Sequence, residues 1–474
     1  MRGKNEKNID IFKNSGYAVA MRARITPHTF SGTVRIPASK SHTIRQLLIA
    51  SLAGGTSEII APLDSLDTRS CADACRAFGA IVTERRASDS QCPNLANKDG
   101  TRLAAYTVQG NDGFRDGNKC HSINVGNSGT TLYLAMAAAG LGGEPFEFTG
   151  DEQIQRRSAA PLLEALAGLG IRAVSINSNG NGCAPIVIQG PWKGGRVALP
   201  CPTSQYLSAI LLAAPLAPAG AVTEIDVPLL NERPYIEMTL SYLNAQGIPW
   251  EAEPDFSRFV IRGGAAWKPF ARSVPGDFSS AAFPACAAAI SGGEVTLLGL
   301  DPDDVQGDKF FLEILAAMGC TVRWEQIPGK VDAPEYRLTV SRTGPLRGGS
   351  FDLNATPDLL PAAAVTAAFA DGDTALVNVA HARIKETDRI AVMAAELARL
   401  GIRCTERPDG LIVHGSGGRA AVAGGCIDGH GDHRIVMAFA AAALGAQAPI
   451  EIDGAESAAV TYPGFLELLQ AEYC

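Results

Sequence analysis

Metal-binding and redox spacings are missing from this sequence. Its 11 cysteines include no CxxC pair, and none stands at a ligand spacing from the 7 histidines. That argues against a metal centre and against a disulfide framework. Most cysteines, Cys75, Cys286 and Cys320 among them, lie in stretches read as apolar helix, as reduced core residues of a cytoplasmic protein. Long hydrophobic runs are also absent. No apolar stretch reaches spanning length without small or polar interruption, so no membrane contact is expected. Residues 1–20 are polar and contain no signal-peptide core; they read as a mobile N-terminal tail, with Met21 as the expected functional start. Positive charge is not in surplus either. The formal net charge is -8, so no nucleic-acid partner is expected. What remains is a soluble globular chain of 474 residues, 46% hydrophobic and long enough for two cores.

The stretch PASKSHTIRQ, Pro37 to Gln46, gives the first positive signal. Ser39 stands where a helix N-cap belongs, and Lys40, Ser41 and Arg45 crowd the first turn of an apolar helix that runs to Leu52. Free N–H groups and the helix dipole, with two cations added, suit an anion such as phosphate or carboxylate. A capped surface helix with two solvated cations would look the same, but the pattern recurs. Small polar clusters precede Ala-rich helices at Gly126, Pro202, Gly276, Thr356 and Gly431. With equivalent positions at 39, 128, 203, 278, 357 and 432, the steps are 89, 75, 75, 79 and 75 residues. Steps that regular mark an internal repeat. A second series runs in phase with it: amphipathic helices end at Gly79, Gly170, Gly247, Gly319 and Gly401, each followed by a strand. Six α/β units of about 75 residues predict two domains of three units each.

Taken in order, Arg22 to Ile36 reads as a strand or hairpin. The first step is long because of Ser88–Cys120, rich in Asn, Asp, Gly and Lys, read as an inserted surface loop; Cys92 and Cys120 flank it without requiring a disulfide. Arg156 and Arg157 are placed at the start of a helix, and Thr203, Ser204 and Gln205 offer neutral donors at another. Asp277, with Ser279 and Ser280, reads as a helix cap. The domains are expected to be 37–274 and 21–36 plus 275–474, with the chain crossing near Pro37 and Ser273–Gly276. In HARIKETDR, Lys385 and Arg389 are four apart and would share a helical face beside Glu386. That carboxylate is either in a structural ion pair or an acid/base with a tuned pKa. Asp358 follows NATP at a helix start, and GDHR sets His433 and Arg434 on the last one.

Five segments, SKSHTIR, GNSGTT, TSQYLSA, KETDR and GDHR, span Ser39 to Arg434 in one order. In that order they resemble the 5-enolpyruvylshikimate-3-phosphate synthase (3-phosphoshikimate 1-carboxyvinyltransferase) family. The resemblance implies a two-domain inside-out α/β barrel of six βαβαββ units, three per domain, closing on two anionic substrates. It implies transfer of the enolpyruvyl group of phosphoenolpyruvate to the 5-hydroxyl of shikimate 3-phosphate, in a cytoplasmic monomer with no metal or organic cofactor. Asp358, Glu386, Lys40 and His433 would be catalytic. Lys40, Gly129, Arg157, Gln205, Arg389 and Arg434 would bind phosphoenolpyruvate. Lys40, Ser41, Arg45, Thr203, Ser204, Gln205, Tyr235, Asp358 and Lys385 would bind shikimate 3-phosphate.

Three positions depart from the family pattern. Tyr133 stands for a usual Arg, Glu232 for a Ser or Thr that donates to the substrate phosphate, and Val460 for a Lys. Each removes a donor or adds a negative charge near an anion, so two other readings stay open at the level of sequence. One is transfer to a different hydroxyl acceptor. The other is a non-catalytic protein that binds a phosphorylated metabolite. The related UDP-N-acetylglucosamine enolpyruvyl transferases fit less well, because their catalytic Cys loop is not visible.

Overall fold

Segments rich in small and apolar residues, most of them in alanine, form helices that are buried almost all round. In the computed structural model they are Lys40–Leu52, Gly129–Ala139, Gln205–Ala213, Phe278–Ser291, Leu360–Ala368 and His433–Ala443. A helix buried on every side lies inside a core, and small side chains let such helices approach one another closely. Gly129–Ala139 packs on both Lys40–Leu52 and Gln205–Ala213; His433–Ala443 packs on both Phe278–Ser291 and Leu360–Ala368. The structure describes residues 21–88, 101–112, 121–178, 180–328, 335–417 and 422–473. The tail at 1–20 and both Cys92 and Cys120 lie outside the described residues.

Around these helices, among the described residues, stand six four-stranded sheets of one design. Each has a parallel pair followed by two antiparallel strands. Gly195–Ala198 runs parallel to Val222–Asp226, which pairs antiparallel with Arg258–Arg262 and through it with Glu251–Ala252. The parallel pair needs a crossover, and Gln205–Ala213 supplies it. Inward and outward residues alternate along the central strands, as eBiBi does in Thr56–Ile60, so each sheet has one wet face. Helices inside and sheets outside make the barrel inside-out, as the resemblance implied. The five terminating glycines all adopt positive φ, between 67° and 101°, where a side chain would be strained.

Two sheets borrow strands from distant parts of the chain. Arg22–Ile25 lies between Ile450–Asp453 and Glu472–Tyr473, and Gly32–Arg35 runs parallel to Glu294–Leu298. The segment 22–36 is therefore two strands in two sheets, not a hairpin: its connection bends away before the strands can meet. Ala271–Ser273 in turn pairs with Thr56–Ile60. Where the two excursions pass, Ala38 bridges Gly276; Ser39 N–H donates to Pro275 O at 2.8 Å and Asp277 N–H to Pro37 O at 2.9 Å. Buried apolar side chains form two clusters. One spans Ile44 to Val274; the other takes Ala23 to Ile36 together with Phe278 to Leu469.

Three further expectations need correction. Thr101–Gln109, inside the stretch read as an inserted loop, is a strand paired with Ile81–Ser88 and Thr56–Ile60. Leu103, Ala105, Tyr106 and Val108 are buried along it, so the sheet needs this segment. Arg156 and Arg157 do not begin a helix: a 3-10 turn ends at Arg156, and the helix starts at Ala160, just ahead of Pro161. Cys320 opens a strand, Cys320–Ile327, rather than sitting in a helix.

Candidate active site

The helix starts from both halves open onto one cavity of about 650 Å³. Capping explains how they are held. Ser39 accepts from His42 N–H, Ser128 from Thr131 N–H, Asp277 from Ser279 N–H and Asp432 from Arg434 N–H. Asp277 thus acts as the cap its sequence suggested. Lys40, Ser41, Arg45, Gly129, Arg157, Thr203, Ser204, Gln205, Tyr235, Asp358, Lys385, Glu386 and Arg434 all line the cavity. Arg389 and His433 do not line it and lie buried behind it.

Segment 380–389 reaches the cavity without the helix expected there. A 3-10 turn covers Ala380–Ile384, and the helix begins only at Arg389, capped by Asp388. Lys385 and Arg389 therefore share no helical face. Arg383 holds the bend by donating to both Asp388 carboxylate oxygens, at 3.0 and 2.8 Å. Glu386 and Lys385 are released into the cleft as a result.

Arg389 is fully buried and ties three carboxylates together. Its Nε donates to Asp432 Oδ2 at 2.7 Å, its Nη1 to Asp358 Oδ1 at 2.6 Å and its Nη2 to Glu386 Oε2 at 2.6 Å. Arg434 Nη2 holds the other oxygen of Asp358 at 2.9 Å, and Arg157 Nη2 lies 3.3 Å from Glu386 Oε1. Burial pushes both cavity carboxylates up, but the guanidiniums outweigh it. Arg434 and Arg389 hold Asp358 far below the usual carboxylate range, and Arg157 and Arg389 do the same for Glu386. Burial, with Arg434 and Lys40 nearby, pushes His433 well down, so its imidazole is neutral. Among the described residues, Arg157 Nε and Arg434 Nε are buried without a hydrogen-bond partner. Buried donors left open beside a cavity are suited to an anion that enters it.

Gly129 explains itself by space alone. A Cβ built there would meet Arg157 Nη1 at 2.7 Å. Gly129→Ala is therefore expected to displace Arg157 and raise the KM of the anionic donor substrate by roughly tenfold, with a smaller change in kcat; steady-state kinetics check it. On the other wall, Gln205 Nε2 donates to Thr130 Oγ1 at 3.0 Å. Arg45 is buried and donates to Thr239, Ser208 and the Ser41 and Tyr235 carbonyls. Burial lowers it to about 10, which still leaves it charged at neutral pH. Lys40 Nζ is 3.2 Å from Asp67.

The three departures have different fates. Tyr133 is on the cavity wall, edge-on to Tyr206 with ring centroids 5.0 Å apart. Val460 ends the 3-10 turn Ala455–Val460 and is not among the lining residues. Glu232 is buried at the cavity edge and accepts from Thr203, Ser204 and Lys385.

Sequence reasoning missed Asp432 as the anchor of Arg389, Asp67 beside Lys40, and Asp308. Asp308 accepts from Tyr235 Oη at 2.5 Å, and its other oxygen has no hydrogen-bond partner among the described residues. Burial, reinforced by Asp358, pushes it up to about 7 from an ordinary 3.8. Between those values the unfolded chain gives up this proton and the folded chain keeps it, so Asp308 subtracts stability as pH rises from about 4 to 7. Asp308→Asn should remove that loss. The wild type's stability relative to the variant is expected to fall through this window by up to about 1.4 kcal/mol per pH unit; urea unfolding at pH 4, 5.5, 7 and 8 measures it.

Relatives of this chain carry the same design. The profile of the EPSP synthase (3-phosphoshikimate 1-carboxyvinyltransferase) family matches residues 25–469. A 3-phosphoshikimate 1-carboxyvinyltransferase of Acetivibrio thermocellus is 44% identical over 450 residues, covering 95% of this chain and 97% of that one. One from Ruminiclostridium cellulolyticum is 42% identical, covering 95% and 98%. The solved EPSP synthase of Acinetobacter baumannii superposes with a TM-score of 0.75 at 28% identity, over 96% of this chain and 100% of that one. With a match over nearly its full length and the repeated fold that goes with it, the chain belongs to the EPSP synthase family.

Proposed function

We infer that this chain transfers the enolpyruvyl group of phosphoenolpyruvate to the 5-hydroxyl of shikimate 3-phosphate, releasing phosphate. One observation carries the reading to these residues: Asp358 and Glu386, two ionised carboxylates, face one cavity and are held by the same buried guanidinium of Arg389. Addition needs a base for the hydroxyl proton and an acid for the methylene carbon of phosphoenolpyruvate. In this reading Asp358 takes the first proton and Glu386 delivers the second. The C–O bond forms at C2 while the methylene becomes a methyl. In the elimination a methyl proton returns to Glu386, the C2–O bond to phosphate breaks, and the proton held by Asp358 leaves with the phosphate.

The substrates themselves prepare Glu386 for this role. Its charge is maintained by Arg157 and Arg389. When the carboxylate and phosphate of phosphoenolpyruvate bind Arg157, Arg434 and Lys40, part of that positive field is neutralised and the affinity of Glu386 for a proton rises. Neutral His433 adds no opposing charge. Residues 37–274 and 21–36 plus 275–474 are taken as the two domains that close on the substrates, a division supported by the two separate apolar clusters. The same reading takes the protein as a cytoplasmic monomer. The described thiols are free, which suits a reducing compartment.

The test is direct. Purified protein with both substrates is expected to release inorganic phosphate in step with formation of the enolpyruvyl ether. Absence of both, under conditions where the protein is folded, overturns the assigned acceptor.

A further inference from the structure

We propose that Glu232 sets how tightly the acceptor's phosphate is held: its carboxylate is a resident occupant of the phosphate subsite and must leave when the acceptor enters. The inference rests on the acceptor reading above and deepens it.

Four donors converge on this one side chain. Ser204 N–H and Oγ approach Glu232 Oε2 at 3.0 and 2.7 Å, Thr203 Oγ1 approaches it at 3.2 Å, and Lys385 Nζ is bonded to Oε1. A backbone N–H at a helix start, two hydroxyls and an ammonium form a receptor for an oxyanion. Lys40, Arg157 and Arg434 form a second concentration of donors in the cavity. With phosphoenolpyruvate assigned to that second group, this one is taken for the phosphate of the acceptor.

Glu232 is charged as it sits there. Burial pushes its pKa up, but Lys385 and the hydrogen bonds of Ser204 bring it below the ordinary value. Nothing in its own element calls for the carboxylate. Glu232 precedes the helix Arg233–Gln246, caps none of its N–H groups, and holds a left-handed φ of 59°, unfavourable for a non-glycine residue. Among the described residues, its side chain bonds only to Thr203, Ser204 and Lys385. A phosphate placed on these donors would lie within a few ångströms of that negative charge, so the two anions exclude each other. Acceptor binding is therefore an exchange: phosphate takes the hydroxyls and Lys385, and the Glu232 carboxylate turns out toward water.

The experiment compares shikimate 3-phosphate with shikimate, which lacks only the phosphate, by calorimetric titration of the wild type, Glu232→Ser and Glu232→Gln. Gln keeps the shape and removes the charge; thermal unfolding confirms that each form is folded. Both variants are expected to bind shikimate 3-phosphate roughly tenfold more tightly or better, while shikimate affinity changes less than about twofold. KM for shikimate 3-phosphate should fall further than kcat moves. Weaker binding of shikimate 3-phosphate in both variants, or equal tightening for both ligands, overturns the inference while wild-type turnover leaves the acceptor reading standing. No turnover of shikimate 3-phosphate in any of the three forms overturns that reading and takes the inference with it.

Discussion

Glu386→Gln is expected to lower kcat on the order of 10²- to 10⁴-fold and to leave the KM values within a few-fold. Gln preserves the volume and can still accept from Arg389 Nη2, now 2.6 Å from the carboxylate, so the cavity keeps its shape. What it lacks is a proton that can be handed over and taken back. Kinetic constants alone would not separate a proton carrier from a residue that orients Arg157. Turnover in heavy water does. The wild type should exchange deuterium into the methylene of unreacted phosphoenolpyruvate as addition reverses. The variant should lose this exchange at least as severely as it loses kcat. Exchange at the wild-type rate with kcat depressed would assign the proton to another group.

Arg389→Met is expected to be the most damaging single change, because it strands a buried charge. Asp358 would keep Arg434, and Glu386 would keep Arg157. Asp432 would keep only a neutral His433 at 3.8 Å and the N–H it caps. Removing one partner of a buried pair costs about 3–5 kcal/mol, so the variant should unfold at clearly lower urea. Arg389→Met combined with Asp432→Asn should recover a large share of that loss without restoring activity. Arg389→Lys is expected to fall between the two, since one ammonium cannot reproduce the fork that meets Asp432 through Nε and Nη2 at 2.7 and 3.2 Å. If the double variant is no more stable than Arg389→Met, the stranded-charge account fails.

How much of this was readable beforehand depended on how local the cause was. Caps and terminators are local: Ser39, Asp277, Gly79 and Gly401 are recognisable from neighbours within one turn, and they located the repeat. The convergence of Lys40, Asp358 and Arg434 on one cavity came from resemblance, because these residues are separated by hundreds of positions. Two readings failed for the same reason. KETDR has helical spacing, yet Arg383 binds Asp388 and holds the chain in a bend. Thr101–Gln109 lies between polar stretches, yet its partner strands draw it into a sheet. That Glu232 stands where a phosphate donor is usual was legible only through the resemblance. Its identity was visible as a departure, but its partners at 203, 204 and 385 are fixed only by the fold.

The strand Arg22–Ile25 has a consequence for how the molecule is made. Its two neighbours, Ile450–Asp453 and Glu472–Tyr473, are synthesised hundreds of residues after it. Everything that Lys40–Leu52 and its companions need is available once Ala271–Ser273 has emerged. The strand Arg22–Ile25 therefore stays unpaired while the residues between it and those partners are made, and a later stretch of chain can already settle around its own core. An edge left open that long invites wrong partners. Arg22 and Arg24, the outward-facing residues of that strand, give it charge during the wait and salt bridges to Asp453, Glu451 and Glu472 at the end of it.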